Sequence, residues 1–287
     1  MINPVIFAIH IGSLTLALRW YGVLVMTGIM VAAWLAEREV RRRGENGQVL
    51  WDALIWLLPV GILGARLWYV VNATIGGNSY YMENPLQILN IPQGGLHIYG
   101  GLLVGGIVMF YYLRRYKMDI WLFLDSIAPM VLLGQALARP ANFINQELYG
   151  QPTTLPWGIP IDVEHRIGVY KDLAVYPLSS TRFHPTFAYE MIWNFLAFAL
   201  IMYFTRRFFD LLKPGAVFFI WLVLAGLGRF LIEFFRPDQP HLGASWLSFT
   251  QIATILMMLV GLVMLAFQYG KLKLPLPSMP EQYQIAR

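Results

Sequence analysis

In the segment GRFLIEFFRPD, three charged residues, Arg229, Glu233 and Arg236, stand among apolar neighbours. Their i, i+4, i+7 spacing puts all three on one face of a helix. An ionisable group at the centre of a membrane span costs about 2.5–3.5 kcal/mol on insertion scales, so such a group is a functional candidate. Two cations against one anion leave a positive balance that an anionic ligand completes. The competing reading is a structural Arg229–Glu233 pair with Arg236 reaching the interface. A second constellation, QALARPANFINQELYGQPT (135–153), ends an apolar run on Arg139 and follows it with Asn142, Asn145, Gln146 and Glu147. Arginine grips phosphate with a planar fork, and asparagine offers both donor and acceptor. This density suits a lipid head group; an interfacial hydrogen-bonded cap is the other reading. His184 opens an apolar segment in FHPTFAYE, ahead of Tyr189 and Glu190, and His97 lies in PQGGLHIYGG two residues before Tyr99. Each histidine is either a base or ligand, or a hydrogen-bonded structural residue. Arg66, in GARLWYV, is a further embedded cation that either acts or pairs with a core acid such as Asp125.

The elements that must position these residues follow from composition. Of 287 residues, 57% are hydrophobic and 13% charged, against about 25% charged in soluble domains. The chain reads as an all-α polytopic membrane protein. About seven windows approach the ~20 apolar residues a span needs: 18–36, 51–71, 98–113, 120–138, 186–205, 215–235 and 246–268. The third is glycine-rich (Gly100, Gly101, Gly105, Gly106), which suits close helix packing. Basic residues gather at Arg38–Arg43, Arg114–Lys117, Arg206–Lys213 and Lys271–Arg287. By the positive-inside rule, the N-terminus is outside and the C-terminus cytoplasmic. The chain is expected to form a single membrane domain, 1–287, with segment 139–183 inserted between spans four and five as a small extracytoplasmic cap of short strands and turns. No basic n-region or small-x-small cleavage pattern marks a removable signal peptide, so the first apolar segment is expected to stay.

No cysteine is present, which excludes disulfides, thiolate metal sites and a cysteine nucleophile. No zinc-protease, nucleophile-elbow, P-loop or dinucleotide motif appears. The basic runs are topology signals, so no nucleic acid is expected as a partner. An anion or lipid transporter with embedded arginines lining its path is the alternative function. It predicts a polar stripe reaching the cytoplasmic face, where the spans carry only Asp52 and Asp125.

The run ARPANFINQELYGQPT resembles the signature G-R-x-G-N-F-x-N-x-E-x-x-G of the prolipoprotein diacylglyceryl transferases. NPVIFAI, RWYG (19–22), GGLHIYGGL (95–103), HPTFAYE (184–190) and GRFLIEFFRPD (228–238) resemble further family blocks in the same order. The signature glycines are Ala138 and Ala141 here, and Pro140 fills the variable position. Where some members carry a histidine before the Gly-Gly pair, this chain has Tyr99.

The resemblance implies transfer of the diacylglyceryl group of phosphatidylglycerol to the lipobox cysteine of a preprolipoprotein, forming a thioether and releasing glycerol phosphate. It implies no metal or cofactor, and a multi-pass location in the bacterial plasma membrane with the active site toward the extracytoplasmic face. The substrate supplies the thiol, which explains why the enzyme needs none. On this reading Arg139 and Arg229 act on the phosphate, with Glu233 and Arg236 orienting Arg229. Asn142 and Tyr21 position the glycerol head, and Asn145, Glu147, Gly150 and His97 complete substrate binding. His184 or Tyr99 assists at the thiol.

Overall fold

The computed structural model describes residues 2–11, 14–91, 94–237 and 247–285, without the side chains of 10–11, 14–16 and 98–99. In chain order, strands β1 (Val5–Ile11) and β2 (Leu14–Arg19) precede helices α1 (Trp20–Arg42), α2 (Gln48–Ile75), α3 (Tyr80–Glu83) and α4 (Ile98–Arg115). Then come α5 (Ile120–Ala138), α6 (Pro140–Ile144), α7 (Thr186–Arg207), α8 (Ala216–Glu233) and α9 (Phe249–Gln268). Among the described residues, six helical stretches are long and apolar enough to cross a membrane: α1, α2, the stretch Ile120–Ile144, α7, α8 and α9. The expected window 98–113 does form a helix, α4. Its 18 residues include four glycines and end on Arg114 and Arg115, and it is not among the six.

The chain divides into two compact units, Met1–Ala36 with Leu124–Gln282, and Glu37–Phe123 with Tyr283–Arg287. The first begins with β1 and β2 as an antiparallel hairpin, Val5 opposite Arg19 and Ile11 opposite Leu14, a sheet the hydropathy pattern does not announce. Its helices gather around buried Leu132 of α5, Ala197 and Ile201 of α7, and Val217 of α8, with Trp193 and Trp221 packed on the cluster. Asp125, fully buried on α5, accepts hydrogen bonds from the backbone N–H groups of Gly215 (2.6 Å) and Phe218 (2.7 Å). It thereby satisfies orphan donors at the start of α8. Ser248 and Gln251 form a reciprocal capping box at the start of α9.

The connection from α6 to α7 holds 3-10 turns at Val163–His165 and Gly168–Lys171 and two isolated bridges, Pro152 with Phe183 and Ile159 with Phe183. The short strands expected here are therefore single bridges. What folds this segment is a small core of Tyr149, Ile161 and Phe183 with the fully buried Arg166 guanidinium 5.2 Å from the Phe183 ring.

In the second unit, α2 and α4 touch at glycines: a Cβ on Gly64 would stand 2.8 Å from the Gly100 carbonyl oxygen. Arg66 on α2 is buried, and its guanidinium is caught by the carbonyls of Gln87 (2.6 Å), Ile88 (2.9 Å) and Gly94 (2.7 Å). It anchors the loop ahead of α4, which gives this embedded cation a structural use within its own unit. The chain's end returns to this unit. Tyr283 meets Arg43, and the Gln284 N–H donates to Asp119 at 2.5 Å.

Candidate active site

Arg139 stands at the junction of α5 and α6, where Pro140 starts the short helix without needing an N–H partner. Its guanidinium donates to Asn142 Oδ1 (3.2 Å) and to Glu190 Oε1 on α7. Asn142 Nδ2 donates to Glu147 Oε1 at 2.8 Å, and Asn145 Nδ2 reaches the same oxygen at 3.3 Å. Glu147 is held between Gln146 and Leu148, which both adopt left-handed backbone (φ 51° and 54°). That conformation is uncommon outside glycine and asparagine. Here Gln146 is fixed by a reciprocal pair with Asp162, donating to Oδ2 at 2.7 Å and accepting from the Asp162 N–H at 2.8 Å.

From α8, Arg229 pairs with Glu233 Oε2 at 2.7 Å and stands 4.0 Å from Glu190 Oε2. The other Glu233 oxygen accepts from Ser248 Oγ at 2.9 Å. A continuous polar chain results: Ser248, Glu233, Arg229, Glu190, Arg139, Asn142, Glu147, Asn145. The helices are held in register by two further contacts. One turn from the Arg139–Glu190 pair, Asn194 Nδ2 donates to Gln135 Oε1 at 3.3 Å. Trp193 lies over Gly228, where a Cβ would collide with the indole, and its Nε1 donates to the Leu224 carbonyl at 2.9 Å.

Six residues singled out from sequence thus come together: Arg139, Asn142, Asn145, Glu147, Arg229 and Glu233. Glu190, which joins the two arginines, was visible only as a neighbour of His184. Its partnership with Arg139 bridges 51 residues of sequence, beyond any spacing rule. With Glu190 included, Arg139 and Arg229 face two carboxylates, Glu190 and Glu233, so these four groups balance; the positive excess counted from the sequence rested on Arg236. Arg236 does not lie on the α8 face: the helix ends at Glu233 and Arg236 follows in a turn, its N–H on the Glu233 carbonyl at 3.0 Å.

His184 precedes α7. Its Nδ1 lies 3.0 Å from the Tyr189 hydroxyl, which also accepts from Trp157 Nε1 at 2.8 Å, and its ring packs 5.1 Å from Phe235. Burial pushes the imidazole below the usual histidine range. Gly150 sits where backbones converge: its N–H donates to the His184 carbonyl at 2.7 Å, and a Cβ would stand 2.6 Å from the Phe235 carbonyl oxygen. Tyr21 is exposed on the first turn of α1. In the second unit, His97 stands at the residue just before α4, its backbone N–H on the Ala65 carbonyl at 3.0 Å. Tyr99 lies in the first turn of α4, and its side chain falls outside the described set. Among the described residues, no group of three or more histidines and carboxylates converges as a metal site would require.

The family model for "Prolipoprotein diacylglyceryl transferase" matches residues 4–267 of this chain. Curated relatives carrying the name phosphatidylglycerol–prolipoprotein diacylglyceryl transferase include a Chloroflexus aggregans protein, 36% identical over 83% of this chain and 78% of its own. One from Trichormus variabilis is 36% identical over 94% of this chain and 91% of its own. A Streptomyces coelicolor relative, whose name ends in 2, is 34% identical over 93% and 81%.

Proposed function

The chain belongs to the prolipoprotein diacylglyceryl transferase family, and from that premise we propose that Arg139 and Arg229 form the phosphate grip of its reaction. The chain is a multi-pass membrane enzyme, a phosphatidylglycerol–prolipoprotein diacylglyceryl transferase. The observation that carries the assignment of roles is the pairing of both arginines with one carboxylate, Glu190, across three helices.

The substrate cysteine loses its thiol proton, and its sulfur attacks the glycerol carbon of phosphatidylglycerol. A C–S bond forms, the C–O bond to phosphate breaks, and glycerol phosphate leaves with both bonding electrons. Negative charge grows on the departing phosphate, where preorganised guanidiniums out of bulk water contribute most. A free thiol has a pKa of about 8.5, so the same cations favour the thiolate that attacks. Glu233, fixed by Ser248, orients Arg229, and Arg236 adds positive charge beyond the helix end. Asn142, with Tyr21, positions the glycerol head; Asn145, Glu147, Gly150 and His97 shape the binding surface. His184, kept neutral by burial, or Tyr99, takes the thiol proton.

Both substrates arrive within the bilayer, the lipid by its chains and the precursor by its signal helix. The seven-span arrangement, N-terminus outside, would open the site toward the extracytoplasmic side of the bacterial plasma membrane. Segment 151–183 would then form a lid or peptide-docking surface. The test is purified protein in phosphatidylglycerol liposomes with a lipobox peptide, following peptide mass and glycerol phosphate together. The peptide gains a diacylglyceryl mass, and the gain vanishes with a Cys→Ser peptide or with Arg139→Ala enzyme. Unchanged turnover in folded Arg139→Ala or Arg229→Ala protein overturns the phosphate grip.

A further inference from the structure

We propose that Glu190 is a positioning residue: in the free enzyme it occupies the place of the lipid phosphate between Arg139 and Arg229, and it yields that place when phosphatidylglycerol binds. This rests on the reading that the two arginines hold the phosphate.

The four charged groups are not equivalent. Glu233 is a committed partner: its side chain is 1% exposed, one oxygen pairs with Arg229 at 2.7 Å and the other accepts from Ser248. Glu190 is divided. One oxygen bonds Arg139, while the other stands 4.0 Å from Arg229, outside hydrogen-bond reach. Among these acids it alone faces both arginines. The Arg139 Nε is buried and has no hydrogen-bond partner among the described residues, so the guanidinium keeps an unused donor. A phosphodiester matches what Glu190 supplies, a single negative charge on acceptor oxygens, and adds oxygens for the unused donor.

The exchange therefore replaces one monoanion by another and leaves the two cations neutralised throughout. Without Glu190, two guanidiniums face each other without a shared counter-ion, and their repulsion spreads their side chains over many rotamers. Glu190 is delivered to its place by α7, whose register is set by Asn194 on Gln135 and by Trp193 on Gly228. The carboxylate thus preorganises the grip while competing with the ligand it is organised for. Removing its charge has opposite effects on binding and on turnover.

Glu190→Gln keeps the shape and an acceptor for Arg139 but removes the charge. With the lipobox peptide, its KM for phosphatidylglycerol and the inhibition constant of added glycerol phosphate both fall at least about threefold, while kcat falls about tenfold. Glu190→Asp keeps the charge on a shorter arm: KM returns to the wild-type value and kcat stays low. A folded Glu190→Gln enzyme with unchanged KM and inhibition constant, its kcat lowered only as its folded fraction is, overturns the proposal and makes Glu190 a structural rung. A raised KM overturns it too, because Glu190 would then help hold the substrate. Arg139→Lys and Arg229→Lys separate the two claims. If neither changes KM or the inhibition constant, the phosphate grip itself fails; if both do and Glu190→Gln does not, only the role of Glu190 fails.

Discussion

Lysine at position 139 keeps the charge and loses the fork. Arg139 uses different nitrogens for Asn142 and Glu190, and an ammonium presents no such planar pair of donors. Arg139→Lys is expected to lower kcat/KM on the order of a hundredfold, measured as glycerol phosphate release, with normal purification behaviour. His184 gives a pH signature. Its folded pKa is depressed, so the native state favours neutral imidazole. The stability this group contributes is present above about pH 6.5 and is lost as pH falls through the lower folded value. If the neutral form assists at the thiol, activity falls over the same acid window, and His184→Gln loses that limb of the profile; a limb that persists assigns it to another group. Much of this site was legible residue by residue, because Arg139, Asn142, Asn145 and Glu147 sit within a few positions and Arg229 and Glu233 are one helical turn apart. Glu190 was not, since its meaning depends on which helices face each other. Gly150 was legible as a signature position, but its crowding by the Phe235 carbonyl is a tertiary fact.

Helices were the most legible elements. The windows 120–138 and 186–205 fall almost on α5 and α7, because twenty apolar residues in a row leave little choice of structure. The N-terminal hairpin was missed for a related reason. VIFAIHI is apolar on nearly every position and shows no period-two alternation, while LTLALR alternates leucine with Thr15, Ala17 and Arg19 but over only six residues that run straight into the apolar stretch of α1. The end of α8 was misjudged because a helical face was extended through Phe234 and Phe235 into a turn. At this scale Asp125 makes the sharpest prediction. Asp125→Ala leaves the Gly215 and Phe218 N–H groups buried without their acceptor, at a cost on the order of 1–3 kcal/mol. A lower thermal midpoint with near-normal kcat/KM in the surviving folded enzyme is expected; an unchanged midpoint would show that the cap is dispensable.

For the whole molecule, the orientation drawn from basic loops is open to a direct test, and the absence of native cysteine makes the background blank. A single cysteine at Gly77, in the loop after α2, should react with an impermeant maleimide added outside intact cells. One at Asp210, beyond α7, should react only after permeabilisation. The reverse pattern would invert the positive-inside reading.

Completion of the second unit depends on the order of synthesis. Arg43 is made early, at the end of α1, yet its partner Tyr283 is translated 240 residues later, beyond α9, as is Gln284, which donates to Asp119. During elongation the membrane helices are laid down while the α1–α2 turn waits for its clasp. Emergence of the segment beyond α9, rather than insertion of α9 itself, is then the event that finishes this part of the protein. A Tyr283→Ala change removes the hydroxyl that Arg43 donates to and leaves that turn closer to its nascent state.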